Sequence, residues 1–155
     1  GLPPTVGFFA KLGVIQALLF ITIAFIFGAR VDGGITGVIV VVIIAALFAA
    51  GVGGLGVWLA LRTGSGEAVQ GMFPLFFALL FFSSAFFPLD TMTGWYHAVA
   101  AANPISYLVE SMRDEVLGGA TVWTALTGIG IALGLAVIAI SASAITLRRR
   151  LRVAS

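Results

Sequence analysis

The sequence predicts an all-α integral membrane protein with four transmembrane helices and two short interfacial helices in its last outer loop. The chain of 155 residues is 61% hydrophobic and only 9% charged, whereas a soluble domain carries about 25% charged residues. Four stretches without a charged residue are long enough for the roughly 20 residues that a crossing needs. Spanning strands with open edges are excluded, because lipid offers no partner to unpaired backbone groups.

We place the four spans at about 9–29, 35–61, 68–88 and 121–147. The segment 3–11, with two prolines and a glycine, reads as the end of a cytoplasmic loop, and 30–34 forms a tight outer turn of charged residues and glycine. Ser65 is the predicted N-cap of the third span, with Glu67 in its first turn, where a carboxylate suits the helix dipole. Pro74 is expected to kink this span.

The loop between the third and fourth spans contains the predicted interfacial helices, at about 91–102 and 104–117. Pro88 ends the span before it, and Asp90 or Thr91 is the predicted cap of the first helix. Trp95 suits the membrane interface, because its ring is apolar and its indole nitrogen polar.

The second of these helices has the clearer start signal. Asn103 is a favoured N-cap and Pro104 a favoured first helical residue, and Gly118 is expected to end the helix. Apolar residues then recur at helical spacing on one face: Ile105, Leu108, Val109 and Met112. The pattern predicts an amphipathic helix lying at the outer interface or dipping into it.

Glu110 and Arg113 stand three residues apart on this helix and can form an ion pair. The pair has two interpretations. It is either a solvated surface pair that contributes little, or part of an extracellular gate or subunit contact.

Charge is distributed unevenly along the chain. The arginine-rich segment 148–152 directly follows the last span, which places that end in the cytoplasm by the positive-inside rule. Four crossings then give a formal charge of +5 inside and −3 outside, in agreement with the net +2. Both chain ends are therefore expected to be cytoplasmic.

Chemistry-bearing motifs are scarce. The chain has no cysteine, which excludes thiolate metal sites, and only one histidine. It also has no phosphate-binding G-x-x-x-x-G-K-[ST] loop. Ser83, Ser84 and His97 could suggest an intramembrane hydrolase, but no third, orienting acid is placed beside them. An ion-coupled carrier would usually place an ionisable residue inside a span, and here the charges lie outside the four apolar cores.

Three short motifs carry a resemblance to a known family. They comprise Phe82, Ser84, Phe87 and Pro88; then Met92, Gly94 and Trp95; then Asn103, Pro104, Glu110 and Arg113. In these residues the chain resembles the type-2 permeases of ATP-binding-cassette (ABC) exporters, in particular the daunorubicin and doxorubicin resistance permeases. Thr93 stands where that family usually has proline. The family has six spans, and this sequence resembles the last four, so we expect it to be part of a longer permease.

The resemblance implies a plasma-membrane efflux permease that binds no cofactor itself and contributes to antibiotic resistance. ATP and Mg²⁺ would be bound by a separate cytoplasmic ATPase subunit, a second permease copy would complete a dimer, and no nucleic-acid partner is expected. The substrate would be lipophilic or amphipathic and drug-like; a lipid or polysaccharide exporter, or an ion-coupled carrier, are the alternatives. Candidate outer-gate residues are Phe87, Pro88, Trp95, Asn103, Pro104, Glu110 and Arg113. Phe77, Phe81 and Phe82 are candidates for a substrate wall, or else form a lipid-facing or packing surface.

Overall fold

The computed structural model describes residues 4–153, and within that range the regular structure is entirely helical. The six α-helices are α1 (Pro4–Ile26), α2 (Gly34–Thr63), α3 (Gly66–Phe81), α4 (Gly94–Ala102), α5 (Pro104–Leu117) and α6 (Val122–Val153), with a 3-10 turn at Leu89–Thr91. The predicted all-α class is confirmed.

Three of the described helices are long and apolar enough to cross a membrane, over Gly7–Ile26, Gly34–Thr63 and Val122–Arg152. The helix α3 has only 16 residues and is therefore about 24 Å long, less than the roughly 30 Å of a hydrocarbon core. It ends at Phe81, well short of the predicted boundary at 88. Four full-length spans are thus not confirmed: residues 4–153 contain three helices of that length, with a shorter apolar helix between the second and the third.

Small residues bring the long helices close together. A Cβ atom added to Gly13 of α1 would lie 2.6 Å from the Cβ of Ala49 of α2, so this crossing has no room for a larger residue. Between α2 and α6, the Ser143 hydroxyl donates a 2.8 Å hydrogen bond to the Gly54 carbonyl. Close backbone approach and interhelical hydrogen bonds are the interactions that hold helices together in lipid, where there is no hydrophobic drive between them.

The helix α5 matches the predicted range 104–117, begins at the predicted cap Asn103 and ends at Gly118, whose φ is +79°. Its apolar face packs against two of the long helices. Leu108 is 2% exposed and packs with Ile44 of α2 and Ala132 of α6. The carbonyl of Glu115 accepts a hydrogen bond from the Gly33 amide, just before α2. The helix therefore runs alongside α2 and α6, because its apolar face finds partners on both.

Other boundaries also differ from the sequence prediction. The helix α1 begins at Pro4 instead of near 9, since proline is tolerated in a first helical turn. The helix α4 begins at Gly94, not at 91, and Asp90 belongs to the 3-10 turn instead of capping a helix. The helix α6 continues past 147 through its arginines, because arginine is a good helix former once the chain leaves the apolar region.

Candidate functional site

The candidate site is the region where α3 stops beside the middle of α2. Only Gly64 and Ser65 connect the two helices, and α3 turns back along α2, because Val69 of α3 lies 3.4 Å from where a Cβ of Gly56 of α2 would be. The helix α2 has 30 residues and is about 45 Å long, so α3 reaches along about half of it. The amino end of α5 approaches the same level, because Pro104 and Phe48 of α2 line one cavity of about 300 Å³.

A helix that ends at this depth must find donors for the carbonyl groups of its last turn, which have no partner within the helix. Lipid supplies no donors, and an unpaired polar group there costs several kcal/mol. The chain that follows α3 supplies them from its own side chains.

Asn103 is the most connected of these donors. Its Nδ2 donates hydrogen bonds of 2.7 Å to the carbonyl of Leu79 and 3.0 Å to that of Phe82. Its Oδ1 accepts from the Ile105 amide at 3.0 Å, which is the N-cap bond predicted from the sequence. One amide group therefore both starts α5 and closes the end of α3.

Two hydroxyl groups serve the remaining carbonyls. The Tyr96 hydroxyl, from α4, donates to the Phe81 carbonyl at 2.6 Å, and the Ser83 hydroxyl donates to the Leu80 carbonyl at 2.6 Å. With Asn103, these groups give a side-chain donor to each carbonyl from Leu79 to Phe82.

Ser84 and Ser106 join the segment after α3 to the first turn of α5. Both residues are completely buried. The Ser84 amide donates to the Ser106 Oγ at 3.0 Å, and the Ser84 Oγ donates to the Ser106 carbonyl at 3.1 Å. The Ser106 hydroxyl in turn donates to the Ala100 carbonyl near the end of α4. Ser83 and Ser84 therefore use their hydroxyls to cap backbone groups, which does not fit the role of a hydrolase nucleophile.

The ion pair of Glu110 and Arg113 completes the connection. The Arg113 Nη1 lies 2.7 Å from the Glu110 Oε1, and the two side chains are 22% and 25% exposed. The Arg113 Nη2 donates to the Ser84 carbonyl at 2.7 Å, and the Glu110 Oε1 accepts from the Leu89 amide at 3.2 Å. The pair is thus partly buried and holds the segment 84–89 against α5, so it is more than a solvated pair on a helix surface.

The other predicted outer residues lie at the edge of this network. Phe87 and Trp95 are exposed, and the Trp95 ring packs edge-on against the Tyr96 ring. Pro88 accepts hydrogen bonds from Thr91 through its carbonyl, which forms the 3-10 turn. The structure therefore brings Asn103, Pro104, Glu110 and Arg113 into the connection between α3 and α5 and leaves Phe87 and Trp95 on its surface.

Two of the three predicted wall residues, Phe77 and Phe81, belong to a phenylalanine ladder. We use this name for Phe73, Phe77, Phe81 and Phe86, whose neighbouring ring centroids lie 6.2, 5.3 and 4.9 Å apart. All four rings are exposed, and α3 has no buried residue. The third wall candidate, Phe82, packs against the Tyr96 ring instead.

An apolar groove of about 660 Å³ lies between α1 and α2, and Val69 near the start of α3 borders it. Phe9, Phe48 and Val69 contribute to its lining, and Gln16 is the polar side chain in it. The site is therefore a short helix with apolar surfaces beside it and a polar connection at its end. In the described residues no group of three or more His, Cys, Asp or Glu side chains could hold a metal ion.

Sequence reasoning gave no structural role to Ser83, Ser84 or Ser106. A signal was available, because two adjacent serines interrupt the apolar stretch 68–89. Polar side chains within a membrane-length stretch indicate that backbone groups nearby need partners.

The family model described as ABC-2 type transporter matches residues 4–117 of the chain. A daunorubicin resistance ABC transporter permease protein of Streptomyces coeruleorubidus is 29% identical over 111 residues, which cover 71% of this chain and 39% of that protein. A probable doxorubicin resistance ABC transporter permease protein of Mycobacterium tuberculosis (strain H37Rv) is 27% identical over 127 residues, covering 77% and 38%. The chain thus spans about two fifths of the length of these curated relatives. No solved structure matches it.

Proposed function

The chain belongs to the ABC-2 type transporter family, and we propose that it forms part of the permease subunit of an ATP-driven exporter of lipophilic or amphipathic, drug-like substrates. The relatives named for daunorubicin and doxorubicin resistance support this substrate class. The observation that carries the proposal within the molecule is the phenylalanine ladder, an exposed aromatic surface on a helix with no buried residue.

The ladder is the proposed contact surface for the substrate. A planar, lipophilic molecule can stack on phenylalanine rings and gain both area burial and aromatic contacts. Ligand sites of this kind are mostly apolar with few polar groups, which fits α3. A second permease copy facing the ladder would enclose a path between the two subunits, so a homodimer is part of the proposal.

The α4–α5 hairpin, the name used here for α4, Asn103 and α5, is the proposed outer closure of that path. With α3 it would complete a fourth crossing, because α5 lies beside the half of α2 that α3 does not reach. The outer end of the path would then open when the hairpin moves with α3. The network of Asn103, Glu110 and Arg113 would keep the hairpin attached during that movement.

The energy source in this proposal is a separate cytoplasmic ATPase subunit that binds ATP and Mg²⁺. The arginine-rich end of the molecule would face the cytoplasm of the cell, with the protein in the plasma membrane. A difference in charge between the two ends of the helix bundle supports this orientation. Arg62 and Arg150 lie at one end, and Asp32 and Glu115 lie at the other.

The test is efflux of a fluorescent lipophilic dye from vesicles that contain the intact permease and its ATPase, with and without ATP. Efflux should need ATP and the ATPase. Phe81→Ala should lower kcat/KM by roughly tenfold or more, because a phenylalanine ring that the bound substrate covers contributes about 1.5–3 kcal/mol to binding. The matched control is Phe25→Ala in α1, since Phe25 and Phe81 are both 49% exposed; it should leave efflux unchanged.

Two results would contradict the proposal. Efflux that persists on a proton gradient after deletion of the ATPase would indicate an ion-coupled carrier. Equal effects of the Phe81 and Phe25 substitutions would mean that the ladder faces lipid and that the substrate takes another path.

A further inference from the structure

A cleft with apolar and basic linings lies between the arginine-rich ends of α2 and α6. Its volume is about 710 Å³, and its apolar lining comes from Leu61, Leu147 and Leu151. Its basic lining comes from Arg62 of α2 with Arg149 and Arg150 of α6. Residues of two helices thus place three guanidinium groups beside a leucine surface.

Within the described part of the chain, the three arginines have no acidic partner. None of them forms a salt bridge with a carboxylate of residues 4–153, in which the ion pair found is that of Arg113 and Glu110. Three positive charges at one cleft repel one another, so an anion bound there would be stabilised by all three. Guanidinium groups bind phosphate oxygens with two parallel hydrogen bonds, which adds geometric preference to the charge.

The Arg62 guanidinium is already oriented, and the Arg150 guanidinium lies close to the α2–α3 loop. The Arg62 guanidinium carbon lies 5.4 Å from the centroid of the Trp58 ring, in a cation–π contact. The Arg150 Nη2 lies over the α2–α3 loop, 3.6 Å from where a Cβ of Gly64 would be. A side chain held against a ring, as Arg62 is, loses less conformational freedom when it binds an anion.

The position of the cleft identifies the kind of anion. Both helices that form it are of membrane-crossing length and apolar up to this end. Trp58 lies one turn before Arg62, and tryptophan is enriched where hydrocarbon meets headgroups. A phosphate with an attached acyl chain would use both linings of the cleft, the arginines for the phosphate and the leucines for the chain.

We propose that this cleft binds an anionic phospholipid, with the lipid phosphate on Arg62, Arg149 and Arg150 and an acyl chain along Leu61, Leu147 and Leu151. The proposal does not depend on the substrate or on the energy source of transport. It assigns a lipid of one leaflet, the one at the arginine-rich end, to a site between two helices. Basic clefts between transmembrane helices are suited to lipid headgroups in general.

The experiment measures binding of spin-labelled phosphatidylglycerol, and of spin-labelled phosphatidylcholine for comparison, to the intact protein in lipid nanodiscs. The wild type should prefer phosphatidylglycerol. Each single change, Arg62→Gln, Arg149→Gln or Arg150→Gln, removes one phosphate–arginine contact and should weaken that preference about fivefold. The triple variant removes all three contacts and should weaken it about a hundredfold. Excess inorganic phosphate should not displace the lipid, because it lacks the acyl chain.

Arg30→Gln is the matched control, since it removes one exposed arginine at the opposite end of the molecule, and it should leave the preference unchanged. Arg150→Lys keeps the charge and should retain more of the preference than Arg150→Gln. Thermal unfolding of each single variant checks that it is folded.

Each of the following results would overturn the proposal. The triple variant could keep the full preference for phosphatidylglycerol, or Arg30→Gln could lower it as much as Arg150→Gln does. Displacement of the lipid by inorganic phosphate would mean that the cleft holds free anions. If the triple variant loses co-purification with the ATPase while its lipid preference is unchanged, the arginines contact an acidic protein surface instead.

Discussion

Replacing Asn103 by alanine should destabilise the protein far more than the loss of a helix cap does. The cap bond to the Ile105 amide is worth about 1 kcal/mol. The two hydrogen bonds from Nδ2 serve the carbonyls of Leu79 and Phe82, and each carbonyl left without a donor costs about 1–3 kcal/mol. The total is about 5 kcal/mol, the middle of a range of about 3–7 kcal/mol, which for a chain of this size lowers Tm by roughly 10–20 °C.

The assay is thermal unfolding of the purified protein in a fixed detergent, with unfolding in increasing denaturant as a second measure. The control is Ser65→Ala, because the Ser65 hydroxyl caps α3 by accepting from the Glu67 amide and makes no bridge to another helix. That variant should lose about 1 kcal/mol.

Asn103→Asp separates the two roles of this residue. Aspartate keeps an acceptor for the Ile105 amide but replaces the Nδ2 donor by an oxygen that faces two carbonyl oxygens. We expect it to be at least as destabilising as Asn103→Ala. If Asn103→Ala and Ser65→Ala lower Tm equally, or if Asn103→Asp is as stable as the wild type, the bridge to α3 contributes nothing and the reasoning is wrong.

Two further predictions concern the ion pair and the topology. In a double-mutant cycle of Glu110→Gln and Arg113→Gln, the coupling energy should exceed 1 kcal/mol, since the pair is partly buried and bonded to the α3–α4 segment; a value of a few tenths, typical of exposed pairs, would make it a surface contact. In a cysteine-labelling experiment, Thr121→Cys should react with a membrane-impermeant thiol reagent added outside intact cells, while Ser155→Cys, which lies outside the described residues, should react only after permeabilisation. Reaction of Ser155→Cys in intact cells would reverse the predicted orientation.

Helix starts and ends were predicted most accurately from the sequence where local chemistry decides them. Asn103 and Pro104 are a start signal that acts within one helical turn, and α5 begins there. The Gly118 C-cap and the Ser65 N-cap are local in the same way, and both are present. A residue-by-residue reading needs no knowledge of the fold to find such features.

The end of α3 could not be found in this way. Phe82, Phe86 and Phe87 are as apolar as the helix before them, and the two serines between them, Ser83 and Ser84, indicate that polar partners are needed nearby but not that the helix stops at Phe81. The helix stops there because donors from Tyr96 and Asn103 replace its missing hydrogen bonds, and these lie 15 and 24 residues from the Phe81 and Leu79 carbonyls that they serve. For the same reason the position of α5 beside α2 and α6 required the tertiary structure, because amphipathicity fixes a face but not its partner.

The distance along the chain between α3 and its donors has a consequence for biosynthesis. A ribosome completes α3 before it has made Asn103 or Arg113, and Arg113 lies 29 residues after Ser84. Until those residues emerge, the carbonyls at the end of α3 have no partner in lipid and must stay in contact with water or with the insertion machinery. We therefore predict that α3 and the α4–α5 hairpin enter the bilayer as one unit, and that a chain truncated before Asn103 is retained by the cell's membrane quality control.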